Sequence, residues 1–166
     1  MESFSTLTEF AIAIAGFSGI AIAIRARGGT FDSLDQFRHK NLISFSLSAA
    51  FGSTFPQMVS HLGAHDSSVW IWSSLLFVGN CAFMLALPFW SLVALSNDER
   101  RQLSPLMWTL SVGGTSLTAI LLCVNALGYL GEPSPAPLYV GILWQILMAA
   151  IQFSRMLFVE SHSSTA

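Results

Sequence analysis

The sequence predicts an all-α, polytopic membrane helix bundle with five transmembrane helices, one lone helix followed by two helical hairpins. Three observations carry that expectation. Of the 166 residues, 53% are hydrophobic and only 10% charged, where a soluble domain carries about 25% charged residues. The charges gather in short clusters, and the runs between them hold almost none. Five of those runs approach the length of about 20 residues that a helix needs to cross a hydrocarbon core about 30 Å thick.

The first run, 7–24, reads almost as alternating alanine and isoleucine in "EFAIAIAGFSGIAIAIRAR" at 9–27. Barrel strands alternate apolar with polar residues; here both sets are apolar, so the stretch is a helix. At helical spacing Ala11, Ala15, Gly19 and Ala23 form a small-residue stripe beside Ser18, with Ile12, Ile20 and Ile24 as a bulkier ridge. Small residues let helix backbones approach closely in lipid, which makes this the expected packing face. Thr6 and Glu9 fit a capping box at its start. A cleaved leader needs a basic n-region; the first 24 residues carry only Glu2 and Glu9 as charges, so this run is expected to be retained.

The connector 25–41 contains Phe31, Leu34 and Phe37 every third residue among charged neighbours. A short interfacial helix over 31–40 and a plain solvated connector both fit. The second run is 42–62, and the third, 69–95, follows "GAHDSS". A charge knot at 97–101 precedes Ser104-Pro105, a cap residue before a proline at the first helical position, which opens the fourth run, 106–130. "GEPSPAP" at 131–137 breaks the helix, since proline lacks the needed N–H, and the fifth run covers 138–158. The whole chain, 1–166, reads as one membrane domain. "SHLGAHDSSVW" and "GYLGEPSPAPLY" resemble one another weakly at the two outer turns, which fits either a tandem hairpin repeat or similar loop composition.

All seven basic residues fall on one side of a five-span arrangement: Arg25, Arg27, Arg38 and Lys40, then Arg100 and Arg101, then Arg155. Basic loops stay cytoplasmic, so the N-terminus is expected outside and the C-terminus in the cytoplasm of the cell membrane. The formal charge of −2 offers no phosphate-neutralising surface, so nucleic acid is not an expected partner. The lipid bilayer is one, together with further copies or other membrane subunits.

Chemistry has little to work with. Asp and Glu are absent from every run except for Glu9, one turn inside the first, which argues against a carboxylate proton relay. Asn80 falls near a helix midpoint, Gln57, Asn125 and Gln145 toward the outer half, and Gln152 toward the inner half. Such side chains either bond between helices, at about 0.6 kcal/mol each, or line a pore or outer vestibule with Glu9. Arg25 and Arg27 would then ring the inner mouth. His61 and His65, followed by Asp66, have admissible metal spacing, but Gly63 between them is expected to end the helix and spoil the shared face. No metal, cofactor or catalytic group is expected, and Cys81 and Cys123 read as small apolar residues. The leading expectation is a homo-oligomeric channel for a small ion or solute. The alternatives are a non-catalytic subunit or scaffold of a larger membrane complex, and a carrier or enzyme for a lipid-like molecule.

Overall fold

The structure, a computed structural model, describes residues 2–26, 33–93, 97–101, 103–129 and 131–158. These form five long helices, α1 (Glu2–Ala26), α2 (Ser33–His61), α3 (Asp66–Val93), α5 (Pro105–Ala126) and α6 (Ala136–Phe158), with the five-residue α4 (Asn97–Arg101) between α3 and α5. At 1.5 Å per residue the shortest long helix, with 22 residues, spans about 33 Å.

The helices form a ring in which α2 neighbours α3, α3 neighbours α5, α5 neighbours α6 and α6 neighbours α2, while α1 lies against α2 and touches α6. Ring neighbours run antiparallel, as short connections require. The direction of α1 is set by aromatic contacts. Phe4, in its first turn, lies 4.2 Å from Tyr139 and 6.2 Å from Trp70 between ring centroids. The start of α1 therefore shares one end of the bundle with the starts of α3 and α6, here called the hairpin end. The starts of α2 and α5 and the finish of α6 mark the opposite, basic end.

The surface is inverted relative to a water-soluble protein. Phe10, Phe17, Phe51, Leu117, Ile120 and Leu143 are all exposed, while Ser46, Ser48, Ser73, Thr115, Asn125 and Gln145 are buried. Contiguous exposed apolar surface on that scale needs a cover, and lipid is the natural one. Among the described residues, three helices are long and apolar enough to cross a membrane, within Ser67–Leu87, Pro105–Ala126 and Ala136–Arg155; α1 contributes a shorter apolar stretch, Phe4–Ile20. Helix α2 misses that standard because Ser44, Ser46, Ser48, Ser53, Gln57 and Ser60 dilute it. It sits against α1, α3 and α6, so many of those groups face protein rather than solvent.

At the centre, the Phe77 ring of α3 is wholly buried. A Cβ on Gly52 of α2 would stand 2.1 Å from that ring, and one on Gly141 of α6 would stand 2.9 Å from it. Phe55 meets it edge-on at 6.4 Å. Gly114 of α5 does the same for Trp144 of α6, leaving no room for a methyl group. Glycine is used here for close approach, as small residues are in membrane interfaces.

Several expectations change in detail. The segment 31–40 is not a separate interfacial helix: residues 33–40 are the first turns of α2, while 31 and 32 lie outside the described residues. Thr6 and Glu9 do not cap α1, which already runs from Glu2. Ser104 does occupy the N-cap of α5 with Pro105 after it, although its side chain makes no capping bond. The packing face of α1 is Phe4, Ala11 and Ser18, with Leu7 and Ile14 partly buried between them. Of the predicted stripe, Ala11 is buried and Ala15 half-buried, whereas Gly19 and Ala23 are exposed. The reason is angular. A step of four residues turns about 40° past a full revolution, so an i, i+4 stripe winds off a seam that a seven-residue step follows within about 20°.

Helix α2 ends as expected: Gly63 adopts a positive φ of 84° and donates its N–H to the Ser60 carbonyl at 3.0 Å, a left-handed termination that glycine makes without steric cost. Pro56 inside α2 frees the Gly52 carbonyl. The nearby hydroxyls bond elsewhere, Ser53 to the Ala50 carbonyl and Thr54 to that of Phe51, each at 2.7 Å.

Phe77→Ala should lower stability by about 3 kcal/mol, the low end for phenylalanine truncation, because lipid removes part of the water-transfer contribution. Gly52→Val should cost at least as much by overpacking the same contact. Unfolding in mixed micelles followed by circular dichroism measures both, and an unchanged midpoint for either would contradict this account of the core.

Candidate functional site

The neutral polar side chains fall into four separate settings. The first lies between α1 and α2 toward the hairpin end. Here Phe4, Ser5, Thr8, Glu9, Ser53, Thr54, Pro56 and Gln57 line a groove of about 190 Å³. Thr8 shares a short hydrogen bond with Ser53 across the two helices and donates to the Phe4 carbonyl at 3.0 Å. Ser5 makes a long contact of 3.4 Å with the Glu9 carboxylate. Glu9, Thr54 and Gln57 are exposed, so this groove opens on the outside of the bundle, not into its interior. Glu9 and Gln57 therefore come together as the vestibule reading requires, but on a flank.

The second setting is the hairpin end of the ring, where Asn125 is 1% exposed and fully engaged. Its Nδ2 donates to Ser74 Oγ at 3.1 Å and to the Ser134 carbonyl at 3.2 Å, and its Oδ1 accepts the Ser134 N–H at 3.2 Å. One side chain thus ties α3, α5 and the α5–α6 connection. It is a clamp rather than a vestibule wall, because every bond it makes is internal.

The third setting is the middle. Asn80 of α3 donates to Ser48 Oγ of α2 at 2.6 Å, with a longer bond to the Ser48 carbonyl. Gln145 of α6 is wholly buried. It lies beside Cys81 at 4.0 Å, and its Oε1 has no partner. Depth along the sequence placed Gln145 with Gln57; packing places it against α3, because which flank of α6 meets the ring is a tertiary property.

The fourth setting is at the basic end. A small cavity of about 40 Å³ lies among α2, α3, α5 and α6, lined by Arg38, Asn41 and Phe45, by Met84, by Ser104, Trp108 and Thr115, and by Gln152 and Arg155. Gln152 is 8% exposed and Thr115 1%, and the Thr115 hydroxyl has no partner. Arg38 and Arg155 reach this cavity from α2 and α6. Arg100 donates from Nε to the Leu92 carbonyl at 3.0 Å, so α4 covers the end of α3. His39, in the polar first turns of α2, is held below its ordinary imidazole pKa by partial burial. Arg25 stands in the last turn of α1, and Arg27 lies outside the described residues. Nothing in the linear pattern distinguished Thr115 from other threonines; an unpartnered buried hydroxyl is visible only in three dimensions.

His61 closes α2, and His65 stands in the turn before Asp66 opens α3. Among the described residues no three His, Cys, Asp or Glu gather as metal ligands. The tryptophans and tyrosines near the two ends divide. Trp72, Trp90 and Tyr129 point outward, while Trp70 and Tyr139 pack on Phe4 and Trp108 lines the basic-end cavity.

Comparison with protein-family models, curated proteins and solved structures finds no match for this chain.

Asn125→Ala should destabilise the hairpin end by about 1–3 kcal/mol, since it strands the Ser134 N–H and loses the link to α3. Asn80→Ala should cost less, about 0.6 kcal/mol and under about 1.7. The ranking is checked by thermal unfolding of both variants in one detergent.

Proposed function

We propose that this chain is a five-span integral protein of the cell membrane, N-terminus outside and C-terminus in the cytoplasm, that associates with copies of itself. It passes a small ion or solute along the polar flank of α1 and α2, and it carries out no covalent chemistry. The observation behind this reading is the groove containing Glu9, Thr54 and Gln57, open on the outside of the bundle between α1 and α2.

A lone protomer would present a carboxylate and an amide to lipid there, flanked by exposed Phe10 and Phe51. Ionisable groups in a membrane span are costly and normally face protein or a wet cavity. A second protomer over the groove turns the same groups into the wall of a hydrated path. The neighbouring face of α1 suits close association, since nothing stands within 4 Å of a Cβ built on Gly16 or Gly19. The protomer's own interior is an unsuitable route, because the wholly buried side chains of Phe77, Leu122, Ile142 and Met148 occupy its middle. In this reading Glu9 and Gln57 belong to the path, Arg25 and Arg27 to its inner mouth, and Asn80, Asn125 and Gln145 to the scaffold.

Native mass spectrometry in detergent should find a defined homo-oligomer. Glu9→Gln should change the cation-to-anion permeability ratio in planar bilayers several-fold, as expected for a charge ring. A strictly monomeric protein overturns the reading. A stable hetero-complex instead assigns the groove to another subunit and makes the chain a non-catalytic partner. Tags at the two ends should be accessible from opposite sides of the membrane; same-side access rules out five spans.

A further inference from the structure

We propose that the groove between α5 and α6, on the outside of the bundle, holds one acyl chain of a membrane phospholipid as a retained part of the protein. The inference rests on α5 and α6 crossing a bilayer, which both are long and apolar enough to do. It uses nothing of the α1–α2 flank and stands apart from the path proposed there.

The groove arises from missing side chains. Trp144 of α6 lies on Gly114 of α5, and the adjoining Gly113 is exposed, with nothing within 4 Å of a Cβ built on it. Two consecutive glycines therefore leave a trough beside the indole, and all three residues line it. Leu117, Val140, Leu143 and Leu147 are exposed around it and form its walls. The space between them is about 470 Å³, within the range of small-molecule sites. It is larger than either the α1–α2 groove or the basic-end cavity.

Chemistry narrows the guest to hydrocarbon. Among the described residues no charged side chain lines the groove. The Thr109 hydroxyl already donates to the Pro105 carbonyl at 2.9 Å. Thr118 is buried, with its methyl group toward Gly141, and the indole N–H of Trp144 is buried on the Gly114 side. A polar ligand would give up its hydrogen bonds on entering.

Shape narrows it further. Along α5 the lining runs from Thr109 to Leu121, about 18 Å at 1.5 Å per residue. One leaflet of a hydrocarbon core is about 15 Å deep, so the groove matches an extended chain lying along the bilayer normal. Spread over that length, the volume gives a mean section of about 26 Å². A helix about 10 Å across cannot seat itself in so narrow a channel, which makes a single chain a better fit than a second copy of the protein. No water-driven force acts between lipid and protein here. Retention comes from dispersion contacts, which a chain makes with floor and both walls of a trough but with one side of a flat helix face.

The test reconstitutes the full chain with a phosphatidylcholine carrying a photoactivatable diazirine on one acyl chain, and maps the adducts by peptide mass spectrometry. Adducts should fall on 109–121 and 140–147 several-fold more often than on the exposed segments around Phe10 of α1 and Phe83 of α3. Gly113→Leu, which fills the trough, should lower labelling of both α5 and α6 several-fold. Native mass spectrometry in detergent should find a phospholipid retained by the wild type and lost from this variant. Helical content and unfolding temperature show whether the variant is folded; if it is not, the wild-type map and its retained lipid decide. Equal labelling of all exposed helix faces, a wild type without retained phospholipid, or undiminished labelling of a folded Gly113→Leu overturns the proposal, as does cross-linking of α5 to a second copy in place of lipid. None of these readouts depends on whether a solute passes along the α1–α2 flank.

Discussion

The bundle depends on the contact of one aromatic ring with two glycines. Phe77 of α3 reaches the backbones of α2 at Gly52 and α6 at Gly141, bringing three helices to a distance that any side chain at either position would prevent. In water such a ring would be driven inward by the hydrophobic effect. Between lipid tails that drive is absent, because a hydrocarbon solvent is as apolar as the core. Shape must then do what solvent does elsewhere, and a flat ring against a bare backbone maximises dispersion contacts. Trp144 on Gly114 repeats the device between α5 and α6.

Around that centre the polar groups are sorted by whether they are spent on structure. Asn125 and Asn80 hold neighbouring helices by specific bonds, and neutral amides do this in a membrane without the cost of an ionised group. Thr115, Ser46, Ser73 and Gln145 contain buried atoms without protein partners. Their distribution is uneven in consequence. Gln145 and Ser73 are enclosed by the bundle, whereas Thr115 is among the residues that line the basic-end cavity.

The two ends of the bundle differ in kind. The hairpin end is closed by aromatic packing of Phe4, Trp70 and Tyr139 and by the Asn125 clamp. The basic end has Arg38 and Arg155 lining a small cavity and Arg100 turned back onto the end of α3.

The helices themselves were legible in the linear sequence, because their limits are local. Prolines, Gly63 and the charge clusters interrupt backbone hydrogen bonding or favour water at fixed positions, and the long helices begin and end within a few residues of the expected points, apart from α2, which starts nine residues earlier. What no linear pattern contained was rotation about each helix axis. Hydrophobicity that is high all round a helix, as in α1, does not say which flank meets protein and which meets lipid. Gly19 and Ala23 therefore fell outside the seam, Asn125 became a clamp, Gln145 moved to the middle, and Thr115 emerged at a cavity. Chain-local chemistry determined where helices form. Ring-to-backbone complementarity among distant segments decided how each one turns, and so which polar groups remain free to act.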